Sequence, residues 1–298
     1  MSAVATYVFV DLETTGLPQE ESNKTKITEI SLVAVKRDHV LDTRPGAAPR
    51  VQHKLTLCLN PRRMIHPDST KVTGLCNDLL EHEPDFNTNV FNMINTFLNV
   101  LSKPVCLIAQ NGNGFDFPIL KNHVEKLNAS FSDDLLCADC YHGFYDILSR
   151  TSISTRDYKV ETEENGHTNE TSKSDVDGNE LYALENTLHM RSKNEITPIQ
   201  VKCNVDVSPM KCESRISKAR RRLPWSKGEK PKVSYKLKNI YERLLNRPAL
   251  EAHRAENDCI LALECSVALG HEFVKWVDEN HYPFAKVKPM TIGVPLGL

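Results

Sequence analysis

The feature that most constrains this 298-residue chain lies near its start. The run Thr6 to Val10, T-Y-V-F-V, is β-branched and aromatic and reads as a buried strand. It leads directly into D-L-E-T-T-G-L-P. Asp11 and Glu13 are two residues apart, so strand geometry continued through them points both to one face. Neighbouring carboxylates at the edge of a core repel one another and lose hydration. Something positive must offset them, and a divalent cation with oxygen ligands is the simplest candidate. Gly16 and Pro18 supply the turn that ends the element.

Two more places hold acids that local physics does not explain. Asp116 sits between Phe115 and Phe117 in Q-N-G-N-G-F-D-F-P-I-L, where a strand over Val105–Ala109 meets a Gly-rich turn and then a helix over 117–127. Asp258 follows in H-R-A-E-N-D, just before the apolar face of a final helix. His253 and Asp258 are five residues apart, a helical rotation of about 140°, so they share no helix face. His253 is therefore expected on the loop, with Asp258 in the first turn, so that the imidazole reaches over the site. Each fragment alone is weak: D-x-E occurs by chance, and a lone histidine in a polar loop usually does nothing. The ordered set Asp11, Glu13, Asp116, His253 and Asp258 is far more specific. Four carboxylates balance two divalent cations, and two such ions about 3.5–4 Å apart can hold the attacking and leaving oxygens of a phosphodiester. A neutral His253 can take a proton from the attacking water near pH 7.

Elsewhere the pattern predicts strands over Ile27–Lys36 and Val51–Leu59, and a turn at Thr73–Gly74 leading into a short helix. A helix is predicted over Asn87–Leu101, stopped by Pro104, and an amphipathic one over Tyr235–Leu245. Strands first and alternating helices later imply an α/β fold, a mixed central β-sheet flanked by helices. The chain changes character at about residue 156. From Arg156 to Lys232 only 21 of 77 residues are apolar, too few to offset the entropy of ordering. The expected organisation is one domain built from 1–155 and 233–298, with 156–232 a disordered insertion. The C-terminal part of that insertion is basic: Lys211 to Lys238 carries eleven bases and two acids. It reads as a solvated loop, or as a nucleic-acid-contacting arm or nuclear-localisation patch.

Composition narrows the classes. With 37 Lys plus Arg against 39 Asp plus Glu, the chain is neither a globally basic nucleic-acid coat nor a strongly acidic disordered protein. No apolar run approaches the roughly 20 residues needed to span a bilayer. The first ten residues lack the basic start of a signal peptide. Nine scattered cysteines suit free thiols in a reducing compartment, and the close pair Cys137 and Cys140 reads more readily as ordinary thiols than as a metal or redox site. These features imply a soluble intracellular protein, of cytoplasm or nucleus, without a membrane partner.

The carboxylate and histidine order resembles the DEDDh signature of 3′→5′ exonucleases in the ribonuclease-H-like superfamily, and most closely the three-prime repair exonucleases. Supporting strings are F-V-D-L-E-T-T-G-L-P, H-K-L-T-L-C from His53, V-T-G-L from Val72, Q-N-G-N-G-F-D-F-P-I-L, Y-K-L-K-N-I-Y from Tyr235, W-V-D-E from Trp276 and P-F-A-K-V-K-P-M ending at Met290. The resemblance implies that Asp11, Glu13, Asp116 and Asp258 are metal ligands for two Mg2+ ions, with Mn2+ as an alternative, and that His253 is the general base. It implies that Glu13 and Thr14 grip the 3′-terminal nucleotide, with Leu17 as an apolar wedge and Val72 packing nearby. Gln110, Asn111, Phe115, Ser234 and Tyr235 complete the implied substrate contacts. The activity it implies is release of deoxynucleoside 5′-monophosphates from single-stranded or frayed DNA 3′ ends by a homodimer.

The sequence also departs from the family. Gln110 stands where the family has a histidine, and Phe115 where it often has a tyrosine. A Pro-rich loop is reduced to Pro45 and Pro49, and a C-terminal anchor tail is not expected. The rival readings are an RNA exonuclease or proofreading module of the same chemistry, and a nucleic-acid-binding scaffold working through the basic insertion.

Overall fold

A computed structural model describes residues 3–157, 233–249, 253–294 and 296. The expected insertion, apart from residues 156–157, therefore lies outside the described residues. The chain divides into two units, residues 1–148 with 209–298, and residues 149–208. Of the second, only 149–157 are described, as the end of a helix.

The central strand is β1 (Thr6–Thr14), which pairs antiparallel with β2 (Ile27–Lys36) on one side and parallel with β4 (Val105–Ala109) on the other. β3 (His53–Cys58) lies outside β2, while β5 (Leu136–Asp139) and the short β6 (Tyr282–Pro283) extend the far side, giving the order β3-β2-β1-β4-β5-β6. The helices are α1 (Arg37–Asp42), α2 (Pro67–Thr73), α3 (Thr88–Asn99), α4 (Asp116–Glu125), α5 (Cys140–Asp157), α6 (Leu237–Leu245), α7 (Ala255–Leu269) and α8 (His271–Asn280). This is the mixed sheet with flanking helices that the pattern implied.

Strand parity divides the core in two. Tyr7 and Phe9 of β1, with Val33 and Val35 of β2, pack against Phe144 of α5, Cys259 and Leu263 of α7, and Phe273 of α8. Val8, Val10 and Leu12 point the other way, onto Val90, Ile94 and Leu98 of α3 and Phe117 and Leu120 of α4. Both faces are covered, which is why β4 is continuously apolar and β2 is buried at every position but Lys36 rather than alternating. Each fully buried aliphatic or aromatic side chain contributes about 1.5–3 kcal/mol.

The structure corrects several expectations. β1 does not stop at Val10 but runs on through both acids to Thr14. The third strand is shorter, His53–Cys58. Gly74 ends a helix rather than leading into one. It has a left-handed φ of 75°, and its N–H donates to the Thr70 carbonyl at 2.8 Å, while Pro67 opens the helix. The helix predicted from Asn87 starts one residue later because Asn87 is its cap, accepting from the N–H groups of Asn89 and Val90. The helix predicted from Tyr235 starts at Leu237. The helix expected after His253 is α7, and a further helix that was not expected, α8, follows it after a break at Gly270 (φ 49°). β5 and α5 fall on the cysteine pair, where no element was assigned. Cys137 and Cys140 are buried free thiols. No described helix is long and apolar enough to cross a membrane.

Candidate active site

The site grows out of the parity of β1. Its odd positions run Tyr7, Phe9, Asp11, Glu13, so the face that packs on α7 turns from apolar to acidic part-way along one strand. Register pairs Asp11 with Ser31 and Glu13 with Glu29, and a register shift falls between Glu13 and Thr14. Such an irregularity increases local twist and re-aims side chains. β2 thus adds a fifth acid, Glu29, only 8% exposed.

The turn after β4 delivers Asp116. Asn111 adopts a left-handed φ of 59°, and its carbonyl accepts from the Gly114 N–H at 3.0 Å. A Cβ on Gly112 would lie 2.7 Å from both the Ala109 Cβ and the Phe117 ring, so only glycine fits there. Asp116 opens α4, and its Oδ1 accepts the Leu12 N–H at 3.1 Å, stitching that helix to β1. From β5, Asp139 accepts from the N–H groups of Asn113 and Tyr141, each at 3.1 Å, and so pins the same turn.

His253 lies ahead of α7 with φ 72°, uncommon for a non-glycine residue. Asp258 is in the helix's first turn, and its Oδ2 accepts the His253 N–H at 2.9 Å. Ligand atoms of Glu13, His253 and Asp258 all lie within 4.8 Å of one another. Lys54 of β3 and Glu256 of α7 form an ion pair at 2.7 Å beside this junction.

The electrostatics are those of uncompensated acid. Burial, then Asp258, Asp116, Glu13 and Glu29, push Asp11 well above the ordinary carboxylate range. Glu13 is raised well above it by burial, Asp258, Glu29 and Asp116. Burial, with Asp139 and Asp258, lifts Asp116 to about 8 despite two backbone N–H donors. Asp258 is raised to about 6, mainly by burial. Among the described residues, the strongest influences on Asp11 and Glu13 all raise them. His253 is lowered, first by burial and then by Lys238, and is neutral at pH 7. A set of hard oxygens with one imidazole and a deficit of positive charge fits divalent cations.

The other expected contact residues each have surroundings of their own. Thr14 is buried, its hydroxyl donating to the Gly16 carbonyl at 3.0 Å, while its own carbonyl accepts from the Ser69 hydroxyl. The half-buried Leu17 has its carbonyl fixed by the Glu20 and Glu21 N–H groups. Val72 projects from α2 at 43% exposure. The Gln110 side chain donates to the Tyr235 carbonyl at 3.2 Å and accepts from the Cys140 thiol. In this chain Gln110 therefore joins the β4 end to the α6 approach. Phe115 is half-buried against the α4-side core. Ser234 Oγ accepts the Lys236 N–H at 3.3 Å. Tyr235 is only 4% exposed, its ring 5.0 Å from that of Tyr145 and 5.1 Å from the Arg243 guanidinium.

Glu29 and Asp139 escaped the sequence reading. The signal for Glu29 was an acid inside the apolar run I-T-E-I-S-L-V-A-V; for Asp139 it was an acid between the two cysteines of C-A-D-C.

Comparison with known proteins bears on the family and the fold. The family model described as Exonuclease (RNase T) matches residues 8–170. Three-prime repair exonuclease 1 of Bos taurus is 29% identical over 300 residues, spanning 97% of this chain and 71% of that protein. Three prime repair exonuclease 2 of Mus musculus is 38% identical over 141 residues, 45% of this chain and 58% of that protein. Among solved structures, E. coli exonuclease I in complex with a dT13 oligonucleotide superposes with a TM-score of 0.50 at 11% identity. That match covers 92% of this chain and 43% of the bacterial one, and shows a shared fold.

Proposed function

This chain belongs to the exonuclease family, and we propose that it is a metal-dependent 3′→5′ DNA exonuclease that releases deoxynucleoside 5′-monophosphates from single-stranded or frayed 3′ ends. One observation carries the reading: Glu13, His253 and Asp258, from a strand and from the start of a helix, offer ligand atoms within 4.8 Å of one another. A protein that only bound nucleic acid would have no use for clustered carboxylates that repel phosphate. The substrate is suggested by the relatives' names and by the oligonucleotide held by the bacterial neighbour.

Asp11, Glu13, Asp116 and Asp258 would hold two divalent ions, Mg2+ or in its place Mn2+. When bound, these cations supply the charge that offsets the carboxylates and stabilises developing negative charge on the phosphodiester oxygens. His253, neutral and held beside Asp258, accepts the proton of the attacking water. The water oxygen bonds to phosphorus, the bond from phosphorus to the 3′ oxygen breaks, and that oxygen leaves as an alkoxide that takes its proton from solvent water, while His253 returns its own proton to solvent. Glu13 and Thr14 lie at the strand end where the terminal nucleotide would sit, with Leu17 and Val72 flanking the bases. Gln110, Asn111, Phe115, Ser234 and Tyr235 would supply the remaining contacts.

A 5′-labelled single strand with Mg2+ tests this directly. The expected product is a ladder shortening from the 3′ end, absent with Asp258→Ala. Activity at the wild-type rate in that variant would overturn the site. Parallel RNA and DNA strands of one sequence decide the substrate, and faster RNA cleavage would replace the DNA reading. We also propose a homodimer, on the family resemblance, and light scattering showing only monomer would refute it.

A further inference from the structure

We infer that Glu29 is a positioning residue that fixes the start of α7 against the carboxylate strand, an inference that rests on the exonuclease reading above. A helix of fifteen residues that carries Asp258 in its first turn, with His253 just ahead of it, needs that turn held. The local sequence does not hold it. Arg254 stands at the cap and contributes no side-chain acceptor, where serine, threonine or aspartate would ordinarily do so. The acceptor comes instead from another strand: Glu29 Oε2 takes the Ala255 N–H at 2.9 Å, with both residues buried.

Glu29 is placed to transmit position rather than only to fill a donor. It is the cross-strand partner of Glu13 on one side and of Cys58 on the other. Its second oxygen, Oε1, lies 3.9 Å from the Cys58 thiol, so both oxygens have protein partners. β2 is buried along its whole length except Lys36, so the acceptor is carried on a rigid element. His253 lies two residues before Ala255 and Asp258 three after, and any shift of Ala255 moves both. A water molecule could satisfy the same N–H, but it would not tie the helix to β2. A negative group at a helix N-terminus is also favoured by the helix dipole.

The test is steady-state kinetics on a short single-stranded DNA, with Mg2+ titrated for each variant. Glu29→Ala should lower kcat about tenfold or more while KM for DNA changes less than about threefold, because a misplacement near 1 Å affects chemistry more than groove binding. Glu29→Gln keeps a carbonyl oxygen for the Ala255 N–H and should restore kcat to within about threefold of wild type, with an unchanged Mg2+ half-saturation. Should Glu29→Ala fail to fold, Ala255→Pro removes the same donor from the helix side. Proline is tolerated at a first helical position, and Arg254 already has the extended geometry (φ −121°, ψ 122°) that must precede it. That variant should show the same loss of kcat. Three results overturn the inference: full kcat in Glu29→Ala, full kcat in Ala255→Pro, or a Glu29→Gln variant that is as impaired as alanine and demands much more Mg2+, which would make Glu29 a ligand. A wild-type protein without nuclease activity fails the exonuclease reading itself, and this inference with it.

Discussion

The carboxylate of Asp258 accepts the backbone N–H of His253 at 2.9 Å, so the loop that carries the imidazole is folded back onto the helix that carries the acid. The left-handed φ of His253 (72°) is the conformation that permits this return. Asp258 thus has two separable properties, an acceptor oxygen and a negative charge.

Asp258→Asn should separate them. The amide oxygen still accepts the His253 N–H, but the charge among four other acids is gone. Exonuclease activity is expected to vanish. Without divalent metal the variant should melt higher than wild type at pH 8 by about 2 °C or more, because a carboxyl raised to about 6 is destabilising when ionised. Differential scanning fluorimetry in EDTA measures this, and a lower melting temperature would contradict the account.

Metal and pH should be linked. Asp258 and Asp116 are raised from 3.8 to about 6 and about 8, so protonation favours the folded state. Their contribution is fully present below the unfolded value of 3.8 and is lost as pH rises through 6 and then 8. The metal-free protein should therefore lose stability between pH 5 and pH 8.5, and Mg2+ should restore it. The melting shift on adding Mg2+ is expected to grow across that range. A shift largest at pH 5 would show that these carboxylates do not bind the ion.

His253→Ala should lower kcat by about 10²–10⁴, the usual contribution of a general base. The wild-type imidazole is held below its ordinary 6.5, so kcat at saturating Mg2+ should stay level near pH 7 and fall on the acid side of that value. The variant's residual rate should lack that histidine-dependent fall. An unchanged profile would assign the proton transfer elsewhere.

Gly112→Ala places a methyl 2.7 Å from the Ala109 Cβ and from the Phe117 ring. Overpacking of this kind costs about 1–3 kcal/mol. Because Phe117 follows Asp116, the repacking should also reduce kcat. Urea unfolding and single-turnover cleavage measure the two effects, and a variant wild-type in both would mean that the turn is more compliant than the packing around it.

Much of this was legible in the residues. β-branched runs marked β1, β2 and β4 because strands covered on both faces need no alternation. Asp11 and Glu13 could be placed on one face by parity alone, and His253 could be set off the helix by counting its rotation. Glu29 was not legible, since an acid inside an apolar run declares its environment only once register puts Glu13 opposite it and α7 above it. Asp139 was hidden for a similar reason: the cysteines on either side drew attention to thiol chemistry, while its role is to accept N–H groups from a turn 26 residues away. The helix start at Gly74 was misread because glycine serves both to open a turn and to close a helix, and only φ distinguishes the two.

The shared parity of Tyr7, Phe9, Asp11 and Glu13 joins quality control to catalysis. If β1 paired one residue out of step, its aromatic rings would leave one core and its acids would be driven into the other. Such a chain would be penalised twice, by lost packing and by carboxylates sealed away from any cation. An active but misregistered conformer is thereby excluded, and nuclease activity in a preparation reports directly on the correctly paired sheet.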